Sequence, residues 1–319
     1  MRTPKLQFAN SETALEVREG LTKPSKSLPA KLFYDAAGSE LFEQITLLRE
    51  YYLTRTERAI LKENAGAMVE LAGNNLTLIE LGAGTASKTQ TIIRALIGRQ
   101  LRVTFCPIDV SPTALKAAGE RIKNGFDQVK LCPIVGDYVH GMAELRKLPG
   151  RKLVLFIGSS IGNFEPHESA ELLRALRKAV RPGDALLLGT DLVKDLSILL
   201  PAYNDPCGIT AAFNKNVLAR INRELGGHFD LDAFRHVAPW NRKESRMEMH
   251  LESLCQQDVL IEGLKLTVHF DEGERIHTEN SYKYTVPRVR SLAKLSGFRI
   301  EQSWSDPRKW FAVHLARAV

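Results

Sequence analysis

With 319 residues, 44% of them hydrophobic, the chain has the material for one large domain or two ordinary ones with a substantial core. Its formal charge of +7, from 44 basic against 37 acidic residues, is dispersed without a block of like charges, which argues against a nucleic-acid-binding tract. The four cysteines, Cys106, Cys132, Cys207 and Cys255, form no C-x-x-C pair and the eight histidines no i, i+3 or i+4 pair, so neither a disulfide framework nor a metal motif is expected.

In chain order, the N-terminal "MRTPKLQFANSETALEV" lacks a continuous apolar h-region, and no later apolar run is long enough to span a bilayer. A soluble, cytoplasmic protein with reduced thiols is expected. From Leu76 short apolar runs alternate with amphipathic stretches. Strands are predicted at "LTLIEL" (from Leu76), "RVTFCPID" (from Arg102), "VKLCPIVGD" (from Val129), "KLVLFIGSS" (from Lys152) and "DALLLGTDL" (from Asp184). Their near-continuous apolar content suits strands covered on both faces. Between them, Ser111-Pro112 opens a helix with Leu115, Ala118 and Ile122 on one face, and Pro166 precedes another carrying Leu172, Leu173, Leu176 and Val180. This alternation predicts an α/β fold with a doubly wound parallel sheet. From about Val193 to Tyr284 the alternation stops: a polar helix around Asn214 to Leu225 precedes "RMEMHLESL" and "LKLTVHF", which read as antiparallel strands. A helix over Pro287 to Leu295 and the strands "FRIEQSW" and "WFAVHLARA" complete the sheet. The insertion is of ordinary small-domain size, and the first ~55 residues are expected to pack with it.

The loop in "LIELGAGTASKT", Leu78 to Thr89, is close to three ligand-binding patterns. A P-loop wants glycine where Ser87 stands and an acidic residue after a later strand, where "LVLFIGSS" offers glycine and serine. A dinucleotide fingerprint lacks its third glycine. S-adenosylmethionine carries a sulfonium, an ammonium and one carboxylate. Glu80, just before the loop, opposes a pyrophosphate and favours such a cation. Asp109 ends the second strand, where ribose hydroxyls would lie, and Asp137 ends the third, where adenine would lie. Lys88, in the first turn of the helix, matches the single carboxylate. The loop is therefore read as the holder of an amino-acid-like cation.

"KLFYDAAGSELFEQIT", "EYYLTRTE", "ELGAGTASKT", "IGSSIGNF" and "IHTENSYKYT" together resemble the histidine Nα-methyltransferases of ergothioneine biosynthesis, from about Leu15 to the C-terminus. Arg49 and Leu53 depart from that pattern, standing where several members carry proline. The resemblance implies a Rossmann-like class I methyltransferase domain over 56–193 and 285–319, and an inserted α+β substrate-binding domain over 8–55 and 194–284. It implies three methyl transfers from S-adenosylmethionine to the α-amino nitrogen of histidine, giving hercynine, with no metal. The cofactor would be held by Gly82, Lys88, Asp109, Asp137 and Tyr138. Asn163 and Tyr203 would hold the substrate carboxylate, Tyr51 would line the site, and Tyr34 would lie near the reacting amine. Glu279 and Ser281 would grip the imidazole, with Met249 beside it, and Asn280 would also be substrate-binding.

The residues themselves agree with part of this. In an extended "HTENSYKYT", Glu279 and Ser281 point to one face, and a carboxylate plus a hydroxyl satisfies both imidazole nitrogens. The expected partners are small molecules, with no nucleic acid, no membrane and a monomeric state. The alternatives are transfer to another amino acid or to a nucleic-acid base, the latter suggested by the pI of 9.2. Base-amine methyltransferases commonly carry Asn/Asp-Pro-Pro-aromatic after the fourth strand, where this chain has "SSIGNF", and no basic, aromatic-interleaved tract is present.

Overall fold

A computed structural model describes residues 11–148 and 150–319; residues 8–10, at the start of the expected substrate-binding domain, lie outside the described residues. The chain divides into two compact units: the described residues up to Tyr51 with Asp195–Ser281, and Tyr52–Lys194 with Tyr282–Val319.

The first unit opens with α1 (Glu12–Thr22) and α2 (Ala36–Leu47). Each is started by a side-chain cap: Ser11 accepts the Ala14 N–H, and Asp35 accepts the Gly38 N–H at 2.7 Å. The second unit begins with α3 (Tyr52–Ala72) and β1 (Leu76–Leu81), then α4 (Thr89–Ile97) and β2 (Val103–Asp109). It continues through α5 (Pro112–Gly125), β3 (Val129–Leu131), β4 (Ile134–Val135) and α6 (Tyr138–Leu145). β5 (Arg151–Phe156), α7 (Pro166–Ala179) and β6 (Ala185–Asp191) follow. The chain then returns to the first unit for α8 (Leu196–Tyr203), α9 (Ile209–Leu225), β7 (Phe234–Val237), β8 (Trp240–Asn241), β9 (Arg246–Ser253), β10 (Gln257–Ile261), β11 (Leu266–Phe270) and β12 (Arg275–Tyr282). It ends in the second unit with α10 (Val286–Leu295), β13 (Phe298–Ser305) and β14 (Phe311–Ala318).

The second unit is built on one sheet in the order β13-β14-β6-β5-β1-β2-β3, with β4 also on β2. Strands β1 to β6 pair in parallel, and β14, the second strand of a terminal hairpin, joins β6 antiparallel. Every residue of β1 and β6 is buried, as expected of strands covered on both faces. The helix starts follow the expected chemistry. Ser111 caps α5 by accepting the Ala114 N–H, Pro112 is its first residue, and Leu115, Ala118 and Ile122 are buried. Because β1 is flanked by β2 on one side and β5 on the other, the order reverses beside it. The carboxyl ends of β1 and β5 are where such sheets bind ligands.

One expected strand is broken. "VKLCPIVGD" splits into β3 and β4 around Cys132-Pro133, since Pro133 has no N–H to give a ladder. In the first unit, β9 and β11 are antiparallel strands of different sheets: β9 lies between β12 and β7, while β11 pairs only with β10.

At the end of β6, the fully buried carboxylate of Asp191 gathers three donors. The Tyr52 hydroxyl reaches both oxygens at 2.7 and 2.9 Å, the Lys194 ammonium lies at 2.6 Å, and the buried Lys283 ammonium at 2.9 Å. Burial pulls Lys194 down to about 8 against the opposing charge of Asp191. Asp191→Ala leaves two ammonium groups without their anion. It should destabilise the protein by about 3–5 kcal/mol, the range for breaking a buried pair. The urea unfolding midpoint measures this, and a loss below about 1 kcal/mol contradicts the role given to Asp191.

Candidate functional site

The turn after β1 is shaped by backbone geometry before any ligand is considered. Gly82 and Gly84 have φ of +70° and +50°, in the left-handed region that glycine adopts without strain. Gly82 and Ala83 both donate to the Ile108 carbonyl, at 2.9 and 3.0 Å, which folds the turn onto the end of β2. A Cβ on Gly82 would sit 3.1 Å from the Tyr138 hydroxyl, so this glycine also makes room for that ring. Asp109 completes the arrangement: its two oxygens accept the Gly84 N–H at 2.8 Å and the Ser111 N–H at 2.9 Å. Burial raises its pKa, opposed by these backbone bonds. Gly82, Asp109 and Tyr138 are thus brought together. Tyr138, the first residue of α6, packs edge-on to Phe156 at 5.4 Å, and burial together with the charge of Asp109 pushes its phenol up.

Three expectations change in detail. Asp137 does not end a strand: it caps α6 by accepting the His140 N–H at 2.8 Å and is exposed, because the third strand stops early. Lys88 is the N-cap residue of α4, one position before the first turn, and its ammonium is paired with the buried carboxylate of Glu57. Glu80 does not present its charge to the loop. It is buried, takes the Thr89 hydroxyl at 2.5 Å, and burial pushes it up to about 8, so it is mostly protonated at neutral pH.

Glu57 is a residue of the candidate site that sequence reasoning missed. Both of its oxygens lie within 2.9–3.0 Å of the Gly158 N–H, at the end of β5, and one also holds Lys88. The available signal was its spacing: Leu53, Glu57, Ile60 and Leu61 share the buried stripe of α3, where a carboxylate needs a partner. Beyond Gly158 the chain turns through left-handed Ser159 into a single 3-10 turn, Ser160–Asn163. Gly162 is required there, since a Cβ would meet the Tyr282 carbonyl oxygen at 2.9 Å.

The first unit orders the remaining residues. The Tyr203 and Ser281 hydroxyls are hydrogen-bonded at 2.7 Å, both buried. His236 Nε2 lies 2.8 Å from the Tyr203 carbonyl, so Nε2 carries the proton and Nδ1 accepts from Asn214 at 2.9 Å. Thr278 donates to Asn214 at 2.7 Å and lies 3.0 Å from the Met249 carbonyl, fixing β12 against α9 and β9. Two residues apart in β12, Glu279 and Ser281 share a face. Asn280 instead meets the His277 ring at 2.8 Å. Tyr34 and Tyr51 both pack edge-on against Phe42, at 6.0 and 6.2 Å.

At the strand ends, the positive charge of Lys88 is already matched by Glu57, while the Arg121 guanidinium is held on Thr85 of the loop at 2.8 and 2.9 Å. A ligand with one carboxylate and cationic centres fits Lys88, Glu57 and Asp109. The family described as "Histidine-specific methyltransferase, SAM-dependent" matches residues 13–318. The chain belongs to this family. As a member it is similar to the histidine N-alpha-methyltransferases of Mycolicibacterium smegmatis and Mycobacterium tuberculosis, each 46% identical over 301 residues, 94% of this chain and 93% of the relative. The ergothioneine biosynthesis protein 1 of Neurospora crassa is 28% identical over 294 residues, covering 91% of this chain and 33% of that longer protein. Among the described residues, no three His, Cys, Asp or Glu side chains are grouped to hold a metal ion, and no helix is long and apolar enough to cross a membrane.

The raised pKa of Glu80 has a measurable consequence. Between its ordinary value of 4.5 and about 8, the folded protein keeps a proton that the unfolded chain releases. Its contribution to stability is complete below 4.5 and lost as pH rises through 8. Glu80→Gln, which resembles the protonated acid, should gain stability relative to wild type across that window. Denaturant titrations at pH 5 and 8.5 check this; a gap between the proteins that does not widen would contradict the protonated assignment.

Proposed function

We propose that this methyltransferase moves three methyl groups from S-adenosylmethionine to the α-amino nitrogen of L-histidine, giving hercynine for ergothioneine biosynthesis. The observation that carries the reading is the 46% identity, along 94% of the chain, with two histidine N-alpha-methyltransferases. When bound, S-adenosylmethionine supplies an electrophilic methyl group on a sulfonium centre, with no metal required. Lys88 holds its carboxylate, the Gly82 turn admits its backbone, and Asp109 takes the ribose hydroxyls on lone pairs left after its two N–H bonds. Asp137 and Tyr138 flank the adenine.

Glu279 and Ser281 meet the two nitrogens of the imidazole, with Ser281 oriented by Tyr203 and Met249 packed beside the ring. Asn280 braces the strand through His277. Asn163 and Tyr203 are assigned to the carboxylate, Tyr34 to the reacting amine and Tyr51 to the lining. The protein's chemical task is modest: hold the amine unprotonated with its lone pair aimed, so that orientation supplies much of the rate. The Tyr34 hydroxyl orients the amine and relays its proton to water. The faces of Tyr34 and Tyr51 stabilise the growing trimethylammonium by cation–π attraction. The enzyme acts as a cytoplasmic monomer on a small molecule, with no nucleic-acid or membrane partner.

Incubation with S-adenosylmethionine and each amino acid in turn, read by mass spectrometry, should show histidine gaining three methyl groups. Transfer only to another amino acid or to RNA would contradict the reading. Glu279→Ala should cost roughly ten- to a hundredfold in histidine affinity, as for a lost charge-assisted hydrogen bond of about 1.5–3 kcal/mol. Tryptophan should be discriminated against less strongly, and donor affinity should hold. If donor binding collapses while the preference for histidine persists, β12 does not read the imidazole.

A further inference from the structure

We infer that Glu57 sets the charge of the donor site, holding Lys88 in place and favouring the cationic methyl donor over its neutral demethylated product. The inference rests on the donor reading of the strand-end loops.

The surroundings of Glu57 are built to receive a carboxylate. It lies fully buried on α3, where an unpaired charge would be costly, yet both oxygens accept from the Gly158 N–H and one pairs with Lys88. Two glycines make room around the pair. A Cβ on Gly189, in β6, would lie 2.2 Å from a Glu57 oxygen, and one on Gly158 would lie 3.3 Å from the Lys88 ammonium. Helix α3, strand β6, the turn after β5 and the start of α4 thus converge on one carboxylate.

The charges around the loop give this convergence a purpose. Glu80 sits among Lys88, Glu57 and Asp109 and is mostly protonated at neutral pH, so it adds no charge. Glu57 cancels Lys88, and removing it adds one net positive charge to a site that also holds Asp109 and, bonded to Thr85 of the loop, Arg121. S-adenosylmethionine carries a net charge of +1, while S-adenosylhomocysteine, the product, is neutral. Both present the same carboxylate, ribose and adenine, so Lys88 and Asp109 meet the same groups in each. The sulfonium is what differs. The covalent length of methionine keeps it within a few bonds of the carboxylate on Lys88, and so within reach of a buried, unscreened Glu57. Repeated methylation gives this discrimination a use, because product must yield to fresh donor after every transfer.

Calorimetric titration of wild type and variants with S-adenosylmethionine and with S-adenosylhomocysteine tests the inference. Glu57→Gln should lower the donor-to-product affinity ratio on the order of tenfold. Lys88→Met should weaken both ligands through their shared carboxylate, while raising the ratio. The double variant Glu57→Gln/Lys88→Met leaves no unpaired buried charge, so it provides the comparison even if Glu57→Gln alone does not fold. It should lose what Lys88→Met gains. Equal ratios in Lys88→Met and the double variant, or a Glu57→Gln protein that weakens both ligands alike, would overturn the inference and leave the donor reading standing. Wild-type protein that binds neither ligand would overturn both.

Discussion

The buried carboxylate of Asp191 is the constraint on which the sheet-bearing unit is organised. It ends the fully buried β6 and is bonded to Tyr52, Lys194 and Lys283. These three residues stand at or within two positions of the places where the chain passes between its two units, at 51/52, 194/195 and 281/282. The Asp191 N–H also donates to Ser159 at 2.9 Å, which fixes the left-handed turn leading to Asn163. A buried cluster of this kind is weak evidence for net stability, because desolvation offsets much of the attraction. Its effect is on specificity. Donors from three separate segments must converge before the anion can be buried, so alternative arrangements of those segments leave charge stranded.

The strand-end site follows a similar logic with less charge. Each ionisable group there is given a fixed partner: Glu57 takes Lys88 and Gly158, Asp109 takes two backbone N–H groups, and Glu80 takes Thr89 and keeps its proton. Such a site is preorganised, since its dipoles and charges are oriented by the fold. It suits a zwitterionic ligand with an extra cationic centre. The residues proposed to bind the acceptor are braced in a comparable way, with Tyr203 on Ser281 and Thr278 on Asn214 locking β12.

Much of this was legible from the sequence because local signals and the global fold agree. "LTLIEL" is β1 to the residue, Ser111-Pro112 starts α5, and the last two apolar runs form the terminal hairpin. Glu279 and Ser281 could be placed on one face from the two-residue period alone. What was not legible depended on contacts distant in sequence. The charge state of Glu80 follows from depth of burial, which an apolar run with one acid does not disclose. Glu57 looked like one more charge in "TRTERAIL" until its place on the buried stripe of α3 and its partners 31 and 101 residues away were known. The break at Pro133 was visible as a proline, but Cys132 and Ile134 on either side preserved the apolar pattern of one longer strand.

Where the methyl group goes is the most direct test of the chemistry. Methyl-13C S-adenosylmethionine and histidine labelled with 15N only at the α position can be turned over by the enzyme and the product examined by NMR. The expected spectrum has the new methyl carbons coupled to the labelled nitrogen, with three equivalent methyls at completion. Methyl carbons without that coupling, carried instead by a ring nitrogen, would contradict transfer to the α-amine.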